Sequence, residues 1–175
     1  SRSGRERIEA VIAGNRESMA TYPEILPPDS AGRLIQRQQV LAERHARLLD
    51  IRAAAGRVRH AHGDLHLANI AMIDDEPVLF DCLEFSAVLA TIDVLYDLAF
   101  LLMDLWAKGC RVEANMLFNR YLDVSPEDED AVVLIPLFLS IRAAVRAHVA
   151  AAQANGDPSR ALRKKAEQYL SLAHE

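Results

Sequence analysis

The chain has 175 residues, 51% of them apolar and 26% charged, with a net charge of −5. That is enough for one domain with a sizeable core, and the lack of a basic block argues against nucleic acid as the main partner. Two distant cysteines, Cys82 and Cys110, with no C-x-x-C pair, exclude a disulfide framework and a cysteine zinc site, and fit a reducing cytoplasm.

The N-terminus, SRSGRERIEA, lacks the apolar core of a signal peptide and has no initiator Met, so it reads as a cut rather than a natural start. Ile8, Val11, Ile12 and Met19 predict a lead-in helix over 4–20, weakened at Gly14 and Asn15. A loop with Pro23, Pro27 and Pro28 completes the lead-in segment 1–28. Asp29 or Ser30 is then expected to cap one long helix ending near Gly56, with Leu34, Gln38, Leu41, His45 and Leu48 on one face. Residues 57–60 read as extended and HGDLHLAN as a loop. The apolar runs 70–73 and 77–80, joined by Asp74, Asp75 and Glu76, predict a small β-hairpin ending at Asp81.

A helix over 93–107 follows. Its apolar stripe is wide enough to predict deep burial, yet Asp93, Asp97 and Asp104 share one of its faces. Lys108 and Gly109 end it, and 112–122 gives another helix. SPEDED is an acidic turn, with Pro126 at a first helical position. A long helix is expected over 130–155, bent at Pro136, and a last helix capped by Asp157 with Leu162, Ala166, Tyr169 and Ala173 buried. No membrane span is expected, because the apolar run 131–141 is too short and ends at Arg142. The fold class expected is mostly α with a small β-hairpin, as a single domain over 1–175.

The chemistry concentrates in RHAHGDLHLANIAMIDDEPVLFDCLEF, residues 59–85. Phosphoryl transfer needs a carboxylate to deprotonate an attacking hydroxyl and hard oxygen ligands for Mg²⁺. An Asp followed five residues later by Asn, and then a strand-borne Asp, supplies both; here these are Asp64, Asn69 and Asp81.

HGDLHLAN resembles the H-G-D-x-x-x-x-N motif of the aminoglycoside phosphotransferase and choline kinase group, which has a protein-kinase-like fold. DVLYDLAFLL resembles that group's D-x-x-x-D-L-A helix start. The resemblance covers residues 29–150. It implies that Asp64 is the catalytic base, that Asn69 and Asp81 bind Mg²⁺, and that Asp93 and Asp97 tie their helix to the catalytic loop. ATP and Mg²⁺ are the cofactors implied, with a small-molecule hydroxyl as acceptor. LFDCLEF and YDLAFLLMDL resemble a subgroup fused to a P-loop ATPase or kinase domain. Two departures stand out. Asp81 is followed by Cys-Leu-Glu rather than Phe-Gly, and no lysine precedes Lys108. The chain therefore reads as a C-terminal helical lobe without the nucleotide-binding N-lobe, expected to be inactive alone. Its partners are then that lobe or an adjoining P-loop domain, and the face left uncovered can drive homodimerisation.

His62 is expected to bond backbone carbonyls, and His66 to stabilise the loop or orient Asp64. Glu84 and Cys82 need no catalytic role. Arg142 and Arg146, four apart, can recognise an anion, but a solvated face is the simpler expectation. Two other functions compete: a non-catalytic pseudokinase-like interaction module, and a metallohydrolase using His60, His62, Asp64 and His66 in an H-x-H-x-D-x-H alternation.

Overall fold

The computed structural model describes residues 2–83, 87–155 and 160–175. Within them the protein is mostly α-helical with two small antiparallel strand pairs. Helix α1 (Gly4–Ala20) starts at a capping box, in which Ser3 and Glu6 satisfy each other's backbone amides. It runs unbroken through Gly14 and Asn15, because buried Asn15 donates to the Ile141 carbonyl and accepts from His148.

The long second helix expected from the apolar spacing is in fact two, α2 (Pro28–Arg44) and α3 (Ala46–Ala54), broken at His45 (φ −105°, ψ 12°). Neither Asp29 nor Ser30 caps α2. Pro27 is the cap residue and Pro28 opens the helix, where its missing N–H costs nothing.

Strand β1 (Val58–His60) pairs with β4 (Thr91–Asp93), Val58 opposite Asp93. Between them lie the loop 61–69, which closes in a 3₁₀ turn at Leu67–Asn69, and the hairpin of β2 (Ile70–Ile73) and β3 (Glu76–Leu79). Asp74 and Asp75 both have positive φ, 51° and 62°, as a tight two-residue hairpin turn requires. A one-turn helix α4 (Ala87–Ala90) precedes β4, whose last residue, Asp93, caps α5 (Val94–Ala107). Helix α6 (Arg111–Val124) follows.

The last long helix is shorter than its composition suggests. Pro126–Leu134 is 3₁₀, and α7 (Ile135–Ala154) begins with Pro136 in its first turn rather than bending there. The whole Pro126–Ala154 stretch is long and apolar enough to cross a membrane by length and composition, longer than the run 131–141 implied; here half of its apolar window is buried in the core. Helix α8 (Arg160–His174) packs along α7 and buries Ala166, Tyr169, Leu170 and Ala173. The Asp157 cap expected for it lies outside the described residues.

Helix α7 is the hub, touching α8, α5, α1 and α2. Phe138 and Ile141 fill the centre, while Ala143, Ala144, Ala147 and Ala151 leave room for close neighbours. On the other side Gly4 lets α1 approach α3, where a Cβ would stand 2.0 Å from the Leu49 carbonyl oxygen.

A buried ion-pair network fixes the frame around the strands. Arg52 of α3 donates twice to Asp93 and once to Asp128, each at 2.7 Å. Arg57 and the Tyr121 hydroxyl complete the shell of Asp128, which is wholly buried. Burial opposes the Asp128 charge, but hydrogen bonds from Arg57, Tyr121 and Arg52 outweigh it and hold the carboxyl below the usual range.

Candidate active site

The loop between β1 and β2 is tied to α5 at two points. The backbone amides of His62 and Gly63 donate to the two oxygens of Asp97, at 2.9 and 3.0 Å, and the Leu67 amide donates to Asp104 at 3.0 Å. Both carboxylates are buried, where an unpartnered charge is costly, so these amides explain how an apolar helix tolerates them. Asp93 behaves differently from what the resemblance implies. It reaches Arg52 and the N-terminus of α5, where it accepts from the Leu95 amide, and not the loop.

Gly63 is the residue the loop cannot exchange. Its φ is +82°, and a Cβ there would lie 2.8 Å from the Leu83 side chain. The next residue, Asp64, is half-buried. Its Oδ2 accepts from Asn69 Nδ2 at 3.1 Å and lies 3.4 Å from His66 Nε2. Asn69 also donates to the Asp64 carbonyl at 2.9 Å, so its buried amide spans the turn. The His66 ring leans on Phe100 of α5, with centroids 5.2 Å apart.

Asp81 is stitched to the same loop through its neighbours. The Phe80 amide donates to the Asn69 carbonyl at 3.1 Å, His62 Nε2 donates to the Phe80 carbonyl at 2.8 Å, and the Leu83 amide donates to the His62 carbonyl at 3.0 Å. Asp81 itself is exposed with φ +59°, a conformation uncommon for non-glycine residues, though Asp tolerates it better than most. Such strain gathers at functional sites. The structure thus brings Asp64, Asn69, Asp81, His62 and His66 into one loop assembly, with Asp97 behind it. Glu84 lies outside the described residues, and Cys82 is half-buried.

The H-x-H-x-D-x-H alternation does not converge. His60 is exposed on β1, His62 bonds Phe80, and among the described residues no three His, Cys, Asp or Glu side chains group to hold a metal. A metallohydrolase centre built on them is therefore set aside. Asn69 and Asp81, whose segments are joined through the Phe80 amide, carry an amide oxygen and a carboxylate. These hard oxygens are the chemistry Mg²⁺ takes, alongside waters and substrate phosphates.

A cleft of about 990 Å³ opens beside Gly63 and Asp64, between α1, β4, α5 and α7. Arg142 of α7 is one of its walls. The solvated face expected for Arg142 is wrong: the side chain is buried, stacked on Tyr96 and Phe100, and donates to the carbonyls of Tyr96 (3.0 Å) and Gly63 (3.4 Å). Arg146 is half-buried over Tyr169. Arg7, Asp104 and Tyr96 also shape the site without having been singled out for it. Of these only Asp104 left a trace in sequence, as a carboxylate on an apolar helix.

A family model described as the phosphotransferase enzyme family matches residues 12–133, a span that contains the whole loop assembly. Uncharacterized proteins of Mycobacterium bovis and Mycobacterium tuberculosis are 37% identical to the chain over 100 residues, 54% of this chain. That match spans 20% of each relative's own length. No solved structure matches. The family match covers well over half of the chain and takes in every residue of the loop assembly, so this chain belongs to the phosphotransferase enzyme family.

Proposed function

We propose that the chain is the acceptor-side, C-terminal lobe of an ATP- and Mg²⁺-dependent small-molecule phosphotransferase. The observation that carries this reading is the stitching of Asp81 to the Asp64–Asn69 loop through Phe80, His62 and Leu83. It brings a half-buried carboxylate and two hard oxygen donors into one assembly.

Asp64 is the base. It takes the proton of an acceptor hydroxyl as that oxygen bonds to the γ-phosphorus of ATP, the bond to the β-phosphate oxygen breaks, and ADP leaves. Asn69 holds Asp64 in place through its amide nitrogen and has its amide oxygen to offer a cation with Asp81. Mg²⁺, when bound, neutralises the phosphate oxygens. His62 and Asp97 keep the two halves of the assembly in register from behind.

The nucleotide-clamping lobe is expected elsewhere in a longer protein, in line with relatives several times longer than the matched region. The hairpin offers a seat for it: Met72, Ile73, Leu79 and Phe80 are all exposed, from 46% to 66%. The test compares this chain with the longer protein containing it, in an assay of Mg²⁺-dependent ADP release. Turnover by the longer protein and none by this chain is expected. Robust turnover by the chain alone overturns the lobe reading. Nucleotide binding without turnover by the longer protein favours a non-catalytic, pseudokinase-like module.

A further inference from the structure

The cleft beside Asp64 is lined for the most part by apolar side chains, among them Ile8, Val11, Leu89, Ile92, Phe100 and Val145. Its charged lining groups among the described residues are Arg2, Arg7, Arg142, Asp64 and Asp93. Asp93 is already held by both forks of Arg52. That leaves Asp64 against three guanidinium groups. Asp97, behind the wall, faces Arg142 at 3.7 Å but spends its oxygens on the His62 and Gly63 amides. His148, also on the lining, is pushed below the usual imidazole range by burial and donates to Asn15.

Two of those guanidinium groups carry unused donors. Arg142 is 95% buried at 5% exposure, and its Nη2, which carries two N–H groups, has no hydrogen-bond partner, its nearest carboxylate oxygen being Asp97 Oδ1 at 3.7 Å, an ion-pair distance but too long for a hydrogen bond. Arg7 uses Nη1 on the Thr91 carbonyl at 3.2 Å, while its buried Nε has no partner. Buried donors left unsatisfied are costly and uncommon in folded proteins. Guanidinium donors of this kind match the paired oxygens of carboxylates and phosphates.

We infer that the acceptor held in this cleft is an anionic alcohol with an apolar body, whose carboxylate or phosphate is bound by Arg7 and Arg142 while its hydroxyl faces Asp64. The inference rests on the phosphotransferase reading for the role of the hydroxyl, but the anion site stands on the cleft alone. A cationic amino alcohol is disfavoured in the same cleft, because three guanidinium groups line it, only Arg142 of them facing a carboxylate among the described residues, Asp97 behind the wall, and one of the cleft's own two carboxylates, Asp93, is held by Arg52.

Calorimetry on this chain tests it without turnover, using one scaffold in three charge forms. The probes are 4-(hydroxymethyl)benzoate, 4-(hydroxymethyl)phenyl phosphate and 4-(aminomethyl)benzyl alcohol. The expected result is binding of at least one anion and at least tenfold weaker binding of the amine; the tighter of the two anions identifies the headgroup. Arg7→Gln, which leaves the Arg142 contacts intact, weakens the anion at least tenfold. Arg142→Lys, which keeps the charge but loses the fork, also weakens it, with melting curves confirming that both variants fold. Equal or tighter binding of the amine, no binding of either anion, or full affinity in folded Arg7→Gln overturns the inference. Anion binding by this chain together with a longer protein that never turns over supports the cleft and removes only the phosphotransferase reading.

Discussion

Replacing Asp64 with Asn in the longer protein lowers kcat for acceptor-dependent ADP release by roughly 10²–10⁴-fold, the usual worth of a positioned general base. The exchange is nearly isosteric. The side-chain oxygen of Asn still accepts from Asn69, and the two bonds to the residue 64 carbonyl that shape the turn, from the His66 backbone amide and the Asn69 side-chain amide, do not involve the residue 64 side chain. Fold and nucleotide affinity are therefore expected to stay near wild type, while the capacity to take a proton is gone. Steady-state kinetics with a parallel melting curve separates the two effects. An Asp64→Asn protein that keeps a tenth or more of wild-type kcat would remove Asp64 from the role of base.

The largest expected effect on stability lies away from the site, at Asp128. Its carboxylate is fully buried and bonded to Arg52, Arg57 and the Tyr121 hydroxyl. Removing one member of such a network leaves buried charge uncompensated, which costs about 3–5 kcal/mol. Whole domains are stable by only about 5–15 kcal/mol, so Asp128→Ala is expected to sit near the edge of folding. Arg52 keeps Asp93, but the Nη1 that held Asp128 is then orphaned in the core, and the loss is transmitted to the start of α5. Chemical denaturation measures this directly; a loss under about 1 kcal/mol, the range of an exposed pair, would show that the network is not a structural element.

The same network sets a pH window. Asp128 has a depressed folded pKa, so its contribution is full above the ordinary carboxylate range and is lost as pH falls through the lower folded value. Tyr121 is raised, by burial first and by its hydrogen bond to Asp128, to about 12. Its contribution is full below the ordinary phenol range and is lost as pH rises through about 12. Between those limits the network is intact, and Asp128→Ala should flatten the acid side of the stability profile.

Much of this was written locally in the sequence. The α1 spacing, the hairpin and the apolar stripe of α5 each follow from neighbours a few residues apart; only the hairpin's second strand is shifted, starting at Glu76 and ending at Leu79 rather than spanning 77–80, because the turn takes two residues, Asp74 and Asp75, and not three. The loop residues Asp64, Asn69 and Asp81 stood out by their spacing, and hydrogen bonds join the segments that carry them. What was hidden depends on distant partners. Val58 pairs with Asp93 across the intervening hairpin, and no local pattern marks Thr91–Asp93 as a strand. Arg52 and Asp128, 76 residues apart, look like ordinary surface charges until α3 and the 3₁₀ segment meet. Arg142 reads as a solvated residue because its four-residue spacing from Arg146 says nothing about the two aromatic rings of α5 that cover it. The break at His45 likewise interrupts a stripe that is continuous in sequence.

The most direct measurement is the Mg²⁺ dependence of turnover in the longer protein, wild type against Asp81→Asn. Asp81 is exposed, so its replacement does not disturb the core, and its flanking bonds to His62 and Asn69 are made by the backbones of Phe80 and Leu83. If Asp81 and Asn69 hold the cation that neutralises the phosphates, half-maximal turnover in Asp81→Asn requires at least tenfold more Mg²⁺, and kcat at saturating Mg²⁺ falls as well. An unchanged Mg²⁺ dependence in a folded Asp81→Asn protein would contradict the assignment of this loop assembly as a phosphoryl-transfer site.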